Sequence, residues 1–307
     1  MNDNYQMKFF PAIAADEDTK GLSFVKLDET LSSMKNWIDM SSHLSFEFSN
    51  TMDKKNIRNI IGADLFSTIC SRAHTISRLL PTAEQASSED YIWDCGSILT
   101  LARSIVEARI AFHYFFVDDC PEEWDCRSAI LSLHSAISFR KSCKLLSPVG
   151  CNQDKELSDM IDNLDLKILK LTSSIEGMEC FKNAHNKSQI LQGRTALMYT
   201  IEKLAEPAGI PRQKYKMIQN EWCLHVHANP VSTTLGQNIG TGALTDKELS
   251  FMEQAAEWAH FSISETGKEI MLAIMKNKNR HDNFGFDPCK MTIIRPKNIE
   301  EFFACGS

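Results

Sequence analysis

Along most of the chain apolar residues recur at spacings of three and four, while runs of alternating β-branched residues are scarce. This pattern predicts an all-α protein. In KKNIRNIIGADLFSTICSRAHTISRLLP, residues Ile57, Ile60, Ile61, Leu65, Phe66, Ile69, Ile76 and Leu79 form a broad stripe that Pro81 closes. Ser87 or Ser88 is suited to cap the next helix, which runs through LARSIVEARIAFHYFF to about Asp118. Pro121 then opens PEEWDCRSAILSLHSAISFRKSCKLL, with Glu122 and Glu123 at its start and Arg140, Lys141 and Lys144 near its end, as the helix dipole favours. Further helices are expected over 154–171, over 195–205, from Pro211 to the Asn229-Pro230 stop, and from a cap at Asp246 to about Lys278. Together these make one helical-bundle domain of about seven to eight helices over 53–283. Residues 1–52 read as an arm with a weak lead-in helix at 22–48, and 284–307 as a C-terminal extension.

The helix from Leu101 to Phe116 poses the sharpest question. It is apolar nearly all the way round, yet carries Arg103, Glu107, Arg109 and His113. Burying an unpaired charge costs several kcal/mol as an order of magnitude, so these groups need partners. Arg103 and Glu107 are four apart and share a face. Arginine before glutamate is the weaker order for a local pair, so partners on another helix are expected. Two readings follow, a buried polar network that fixes how helices dock or a functional pocket. Arg109 and His113 occupy a second face and read as a boundary pair whose heads reach solvent.

Composition narrows the classes. With 307 residues, 43% of them hydrophobic, there is ample material for a core. A formal charge of -7 argues against a protein wrapped broadly in nucleic acid. Ten irregularly spaced cysteines are too sparse for a small secreted disulfide framework and read as reduced thiols. The opening MNDNYQMKFFPAIAADED lacks a basic stretch followed by an apolar one, and the longest apolar run is far short of the roughly 20 residues that span a bilayer. A cytoplasmic protein without a membrane partner is the expectation.

Other motifs are weighed on spacing. Cys223-x-His225-x-His227 supplies three metal-ligand types, but on a helix His225 points away from the other two, so no metal is expected. The loop holding Gly236, Gly240 and Gly242 lacks dinucleotide or P-loop spacing, so no cofactor is expected. Arg127 and His134 lie seven apart on one side of a helix. Such a pair can cleave RNA without metal, with histidine moving protons and arginine stabilising the phosphorane. The spacing resembles the R-x4-6-H signature of the HEPN ribonucleases, helical bundles that usually complete their site as homodimers. That resemblance implies Arg127 and His134 as catalytic residues, RNA as substrate and a defence or toxin role. Lys276, Lys278, Arg280 and His281 would then gather as its binding surface.

A second resemblance covers more chain. Leu101-Ala102-Arg103-Ser104-Ile105-Val106-Glu107-Ala108, then His113-Tyr114-Phe115, then Tyr215 followed by His227-Ala228-Asn229-Pro230 resemble a bacterial all-helical family, domain of unknown function 5677, over residues 60 to 235. That family shows R-x-x-x-E early and a tyrosine, then H-x-x-P, late. Before the histidine this chain has Trp222-Cys223-Leu224 where a Leu-Ser pair is common. The resemblance implies that Arg103, Glu107, Tyr215 and His227 meet as a cluster; the family's activity is not established, and recognition of a small ligand or a protein partner at that cluster is the function the chain is expected to have.

Overall fold

The computed structural model describes residues 17–82, 85, 94–146, 155–226 and 245–281, with side chains placed from residue 26 onward except at 221, 223–226 and 278–281. Within these residues the chain is an all-α bundle without strands. The helices are α1 (Glu17–Thr51), α2 (Ile57–Leu79), α3 (Cys95–Phe112), α4 (Pro121–Leu146), α5 (Lys155–Glu176), α6 (Lys187–Leu191), α7 (Ile201–Ala205), α8 (Arg212–Val226) and α9 (Asp246–His281). A π-helical turn, His113–Val117, continues α3, and a 3-10 turn, Glu179–Asn183, precedes α6.

The helix starts have identifiable causes. Asn56 Oδ1 accepts the backbone N–H of Arg58 at 3.0 Å and caps α2. Asp94 caps α3 by accepting from Ser97 N at 2.9 Å, whereas Ser87 and Ser88 lie outside the described residues. The cap of α9 is Thr245 rather than the expected Asp246. Thr245 Oγ1 accepts from Glu248 N at 3.2 Å while Glu248 Oε2 accepts from Thr245 N at 2.9 Å, a reciprocal capping box.

The largest hydrophobic cluster joins α1, α2, α3 and α9, with Ile218 and Trp222 of α8 packed in. Here α1 is a wall of the core, longer than the weak lead-in expected. Its Leu27, Leu31, Met34, Trp37, Leu44 and Phe48 are buried. The reason is visible at Gly267 of α9, where a Cβ would come within 2.6 Å of the Trp37 ring. A side chain there would push α1 away. A second cluster packs Val106, Ile110, Tyr114 and Phe115 against α7 and α8, and a third holds α4 against α5, the 3-10 turn and α6.

The stretch 195–200, expected to be helical, is not. Its backbone is paired elsewhere: Leu197 N donates to Thr195 Oγ1 at 3.1 Å, Met198 N to the Tyr114 hydroxyl at 3.4 Å, and Met198 O accepts from His185 N at 2.7 Å. Groups already used in tertiary bonds do not propagate a helix.

Candidate functional site

The polar residues of α3 fall into three settings. On the face crossed by α8, Arg103 Nε donates to Glu107 Oε1 at 2.9 Å, and both side chains keep partial exposure, 20% and 36%. The two pair with each other within α3, although the sequence also led us to expect partners on another helix. Helix geometry alone brings two residues four apart within reach, and the weaker Arg-then-Glu order still pairs here. Tyr215 of α8 is buried, packed in the second cluster with Val106 and Ile110 of α3. Burial pushes its phenol well above the usual tyrosine range, the Glu107 carboxylate adds to the rise and Arg103 opposes it. The Tyr215 hydroxyl is buried and has no hydrogen-bond partner among the described residues. Two residues of the expected cluster, Arg103 and Glu107, pair, and their charges reach Tyr215, while His227 lies outside the described residues.

On the second face Arg109 is buried, with 2% exposure, against the expectation that its head reaches solvent. Its guanidinium makes a two-pronged ion pair with Glu269 of α9, Nη2 donating to Oε1 at 2.8 Å and Nη1 donating to Oε2. His113 is half-buried nearby. Burial, then the Arg109 charge, holds its imidazole below the ordinary histidine value, with Glu269 and Asp118 pulling the other way. Glu269 lies 160 residues from Arg109 in sequence. Nothing local signals such a partner.

The third setting is the end of α3. A helix terminus leaves carbonyls without intrahelical partners, and two arginines supply donors from outside. Arg58 of α2 donates from Nε to Phe116 O at 3.0 Å, from Nη2 to Asp118 O at 3.0 Å and from Nη1 to Asp119 at 2.9 Å. Arg127 of α4 donates from Nη1 to Tyr114 O at 2.8 Å, from Nη2 to Asp118 and to Glu123 at 2.7 Å each, and lies 4.2 Å over the Tyr114 ring. Glu123 also accepts from the Tyr199 hydroxyl at 2.5 Å. The π turn is clamped from both sides by cations at the negative end of a helix.

This bears on the residues expected for RNA cleavage. Arg127 is buried and its bonds are spent on the clamp, and His134, two turns along α4, is partly buried. For Arg127 to meet a phosphate, those contacts would have to be exchanged. Lys276 is exposed and its charge is felt at Asp119, while the side chains of Lys278, Arg280 and His281 lie outside the described residues.

Two features escaped sequence reading. Ser33 of α1 and His260 of α9 are hydrogen-bonded at 2.9 Å across 227 residues. A serine beside a histidine is half of a nucleophile relay, but both stand mid-helix, where backbone N–H groups are consumed by the helix and offer nothing to an oxyanion. The pair ties α1 to α9. The second feature is an open cleft of about 520 Å³ at the π-turn end of the bundle, lined by Met52, Asn56, Arg58, Phe116, Asp119 and Lys276 among others. Among the described residues, no three His, Cys, Asp or Glu side chains converge as a metal site, and no helix is long and apolar enough to cross a membrane.

Compared with family models, curated proteins and solved structures, the chain finds no match.

Proposed function

We propose that this protein recognises a small ligand or a partner where α8 crosses α3, through Arg103, Glu107 and Tyr215, with His227 as a fourth group. The observation that carries this reading is the Tyr215 hydroxyl, buried and without a hydrogen-bond partner among the described residues, within reach of the charges of a partly exposed ion pair. An orphaned buried hydroxyl costs about 1–3 kcal/mol. Phenylalanine would fill the same space without that cost, so the hydroxyl makes physical sense if an incoming acceptor meets it. Its raised pKa keeps it a protonated donor. Arg103 adds a cation and Glu107 an acceptor, a set suited to a ligand that carries both donors and acceptors. The resemblance to domain of unknown function 5677 nominates the same residues.

Tyr215→Phe tests this. In thermal unfolding, the free variant should match or exceed wild type, since a desolvated hydroxyl is removed. Adding the dialysable small-molecule fraction of a cell extract should raise the wild-type midpoint and leave that of Tyr215→Phe unmoved. A variant that melts well below wild type when free, or that responds to the extract as wild type does, would overturn the reading.

A further inference from the structure

Helix α5 carries charges that nothing near them answers. It packs chiefly on α4 and the 3-10 turn, and Ile168, Leu171 and Ile175 supply the packed face, lying in the third cluster at spacings of three and four. Leu166 and Leu169 stand elsewhere on the helix and are 57% and 65% exposed. Leu166 is two residues from Ile168, about 200° around the axis, and so faces away from that cluster. Along one edge of this outer face runs a groove of about 370 Å³, where Leu164 and the half-exposed Phe139 of α4 add apolar surface.

The charges of the outer face are sorted by sign. Asp159 and Asp162 lie in the first half of α5, Lys167 and Lys170 in the second, and all four are exposed. Pairing within a helix needs a spacing of three or four. Asp162 and Lys167, the nearest opposite charges of the set, are five apart. Asp165, on the flank, is held by Arg140 of α4. Among the described residues none of the four makes an ion pair. Acids at one end and lysines at the other do not neutralise themselves along one helix, but they do so when two such helices lie antiparallel.

We infer that α5 is the interface of a homodimer, in which it packs antiparallel on α5 of a second copy about a two-fold axis at Leu166. With Leu166 facing its own equivalent, Asp162 falls opposite Lys170 of the second copy and Lys170 opposite Asp162, so each pair occurs twice, as an isologous interface requires. Leu169 extends the apolar centre on either side of the axis, and at the helix ends Lys155 falls beside Glu176 of the second copy. Packed helices lie about 8–10 Å apart, which puts the leucines in contact and leaves the charges at the rim. The leucines hold the two copies together. The charges fix the direction, since a parallel pairing would set acid against acid.

Sedimentation equilibrium of the full-length protein over a range of concentrations tests this, and a mass of two chains is expected. Leu166→Asp, which brings two carboxylates together on the axis, should sediment as a single chain with wild-type circular dichroism. Asp162→Lys and Lys170→Asp should each raise the dimer dissociation constant by about tenfold or more, because each sets like charges opposite one another. An equal mixture of these two variants should dimerise as tightly as wild type, since every facing pair is then opposite in sign, and so should the double exchange within one chain. A wild type that stays a single chain throughout, a Leu166→Asp variant that still dimerises, or a mixture no tighter than its components would each overturn the proposal.

Discussion

Two arginines of this bundle each stand four residues from a glutamate, and they end in different circumstances. Arg103 precedes Glu107 on α3, and the pair stays partly in water. Arg127 follows Glu123 on α4 with 3% of its side chain exposed, and it adds Asp118, the Tyr114 carbonyl and the Tyr114 ring to that one pairing. The same spacing therefore yields a partly exposed pair in one place and a saturated clamp in the other. What separates them is the neighbourhood. The end of α3 presents several carbonyls without intrahelical partners, which two arginines meet, while in the middle of α3 the Ser104 carbonyl accepts a single bond from Arg72 at 3.1 Å and leaves Arg103 to its carboxylate neighbour. A charge pattern along one helix reports reach, and the neighbouring backbone decides the role.

This contrast can be broken, with the largest effect at the clamp. Arg127→Ala leaves two carboxylates and a carbonyl without their cation, and should lower stability by about 3–5 kcal/mol in urea denaturation, the range for breaking a buried pair. Arg127→Lys should recover part of that, because one ammonium cannot reproduce the guanidinium's spread of donors. A loss of under about 1 kcal/mol in Arg127→Ala would show the clamp to be decorative.

Next in size is the pH response of the buried imidazoles. His113 and His260 are both held below the ordinary histidine value, first by burial. The unfolded chain, with histidines near 6.5, binds protons that the native state refuses. Stability is thus full above that pH and declines as the pH falls through 6.5 toward the depressed native values. Urea midpoints measured from neutral pH downward should drop in this window, and His113→Gln should flatten part of the decline. A midpoint that rises on mild acidification would reverse the sign and refute the account.

The smallest effect belongs to the partly exposed pair of Arg103 and Glu107. Glu107→Gln should cost only about 0.3–0.5 kcal/mol, the range for such helix pairs, while removing the response to the small-molecule fraction described for Tyr215. Chemical denaturation and ligand-induced melting shifts, measured on one preparation, separate the two. If Glu107→Gln proved as damaging as Arg127→Ala, the distinction between loose pair and clamp would collapse.

Much of this fold could be read from the chain alone because its causes are local. The three-and-four spacing over 57–79 and the proline with two acids at 121–123 act within one or two turns, and α2 and α4 lie where they predict. The early helix was underestimated because α1 derives its order from contact with α9, including the close approach of Trp37 to Gly267, and no local window contains both. The site was partly legible for the same reason. Arg103 and Glu107 share a face by helix geometry alone, but Glu269 as the partner of Arg109, and His260 as that of Ser33, are set by chain segments hundreds of residues apart in one case and 160 in the other.

By itself, the amino-acid order determined that this protein is helical, where most of its helices begin and end, and that a core helix bears charges in need of partners, since periodicity, capping and desolvation act at short range. Only the tertiary structure decided which charges those partners would be, that Arg127 would hold the end of α3, and that the Tyr215 hydroxyl would be buried with no partner among the described residues. Those outcomes depend on which faces meet, and that is settled by the packing of whole helices.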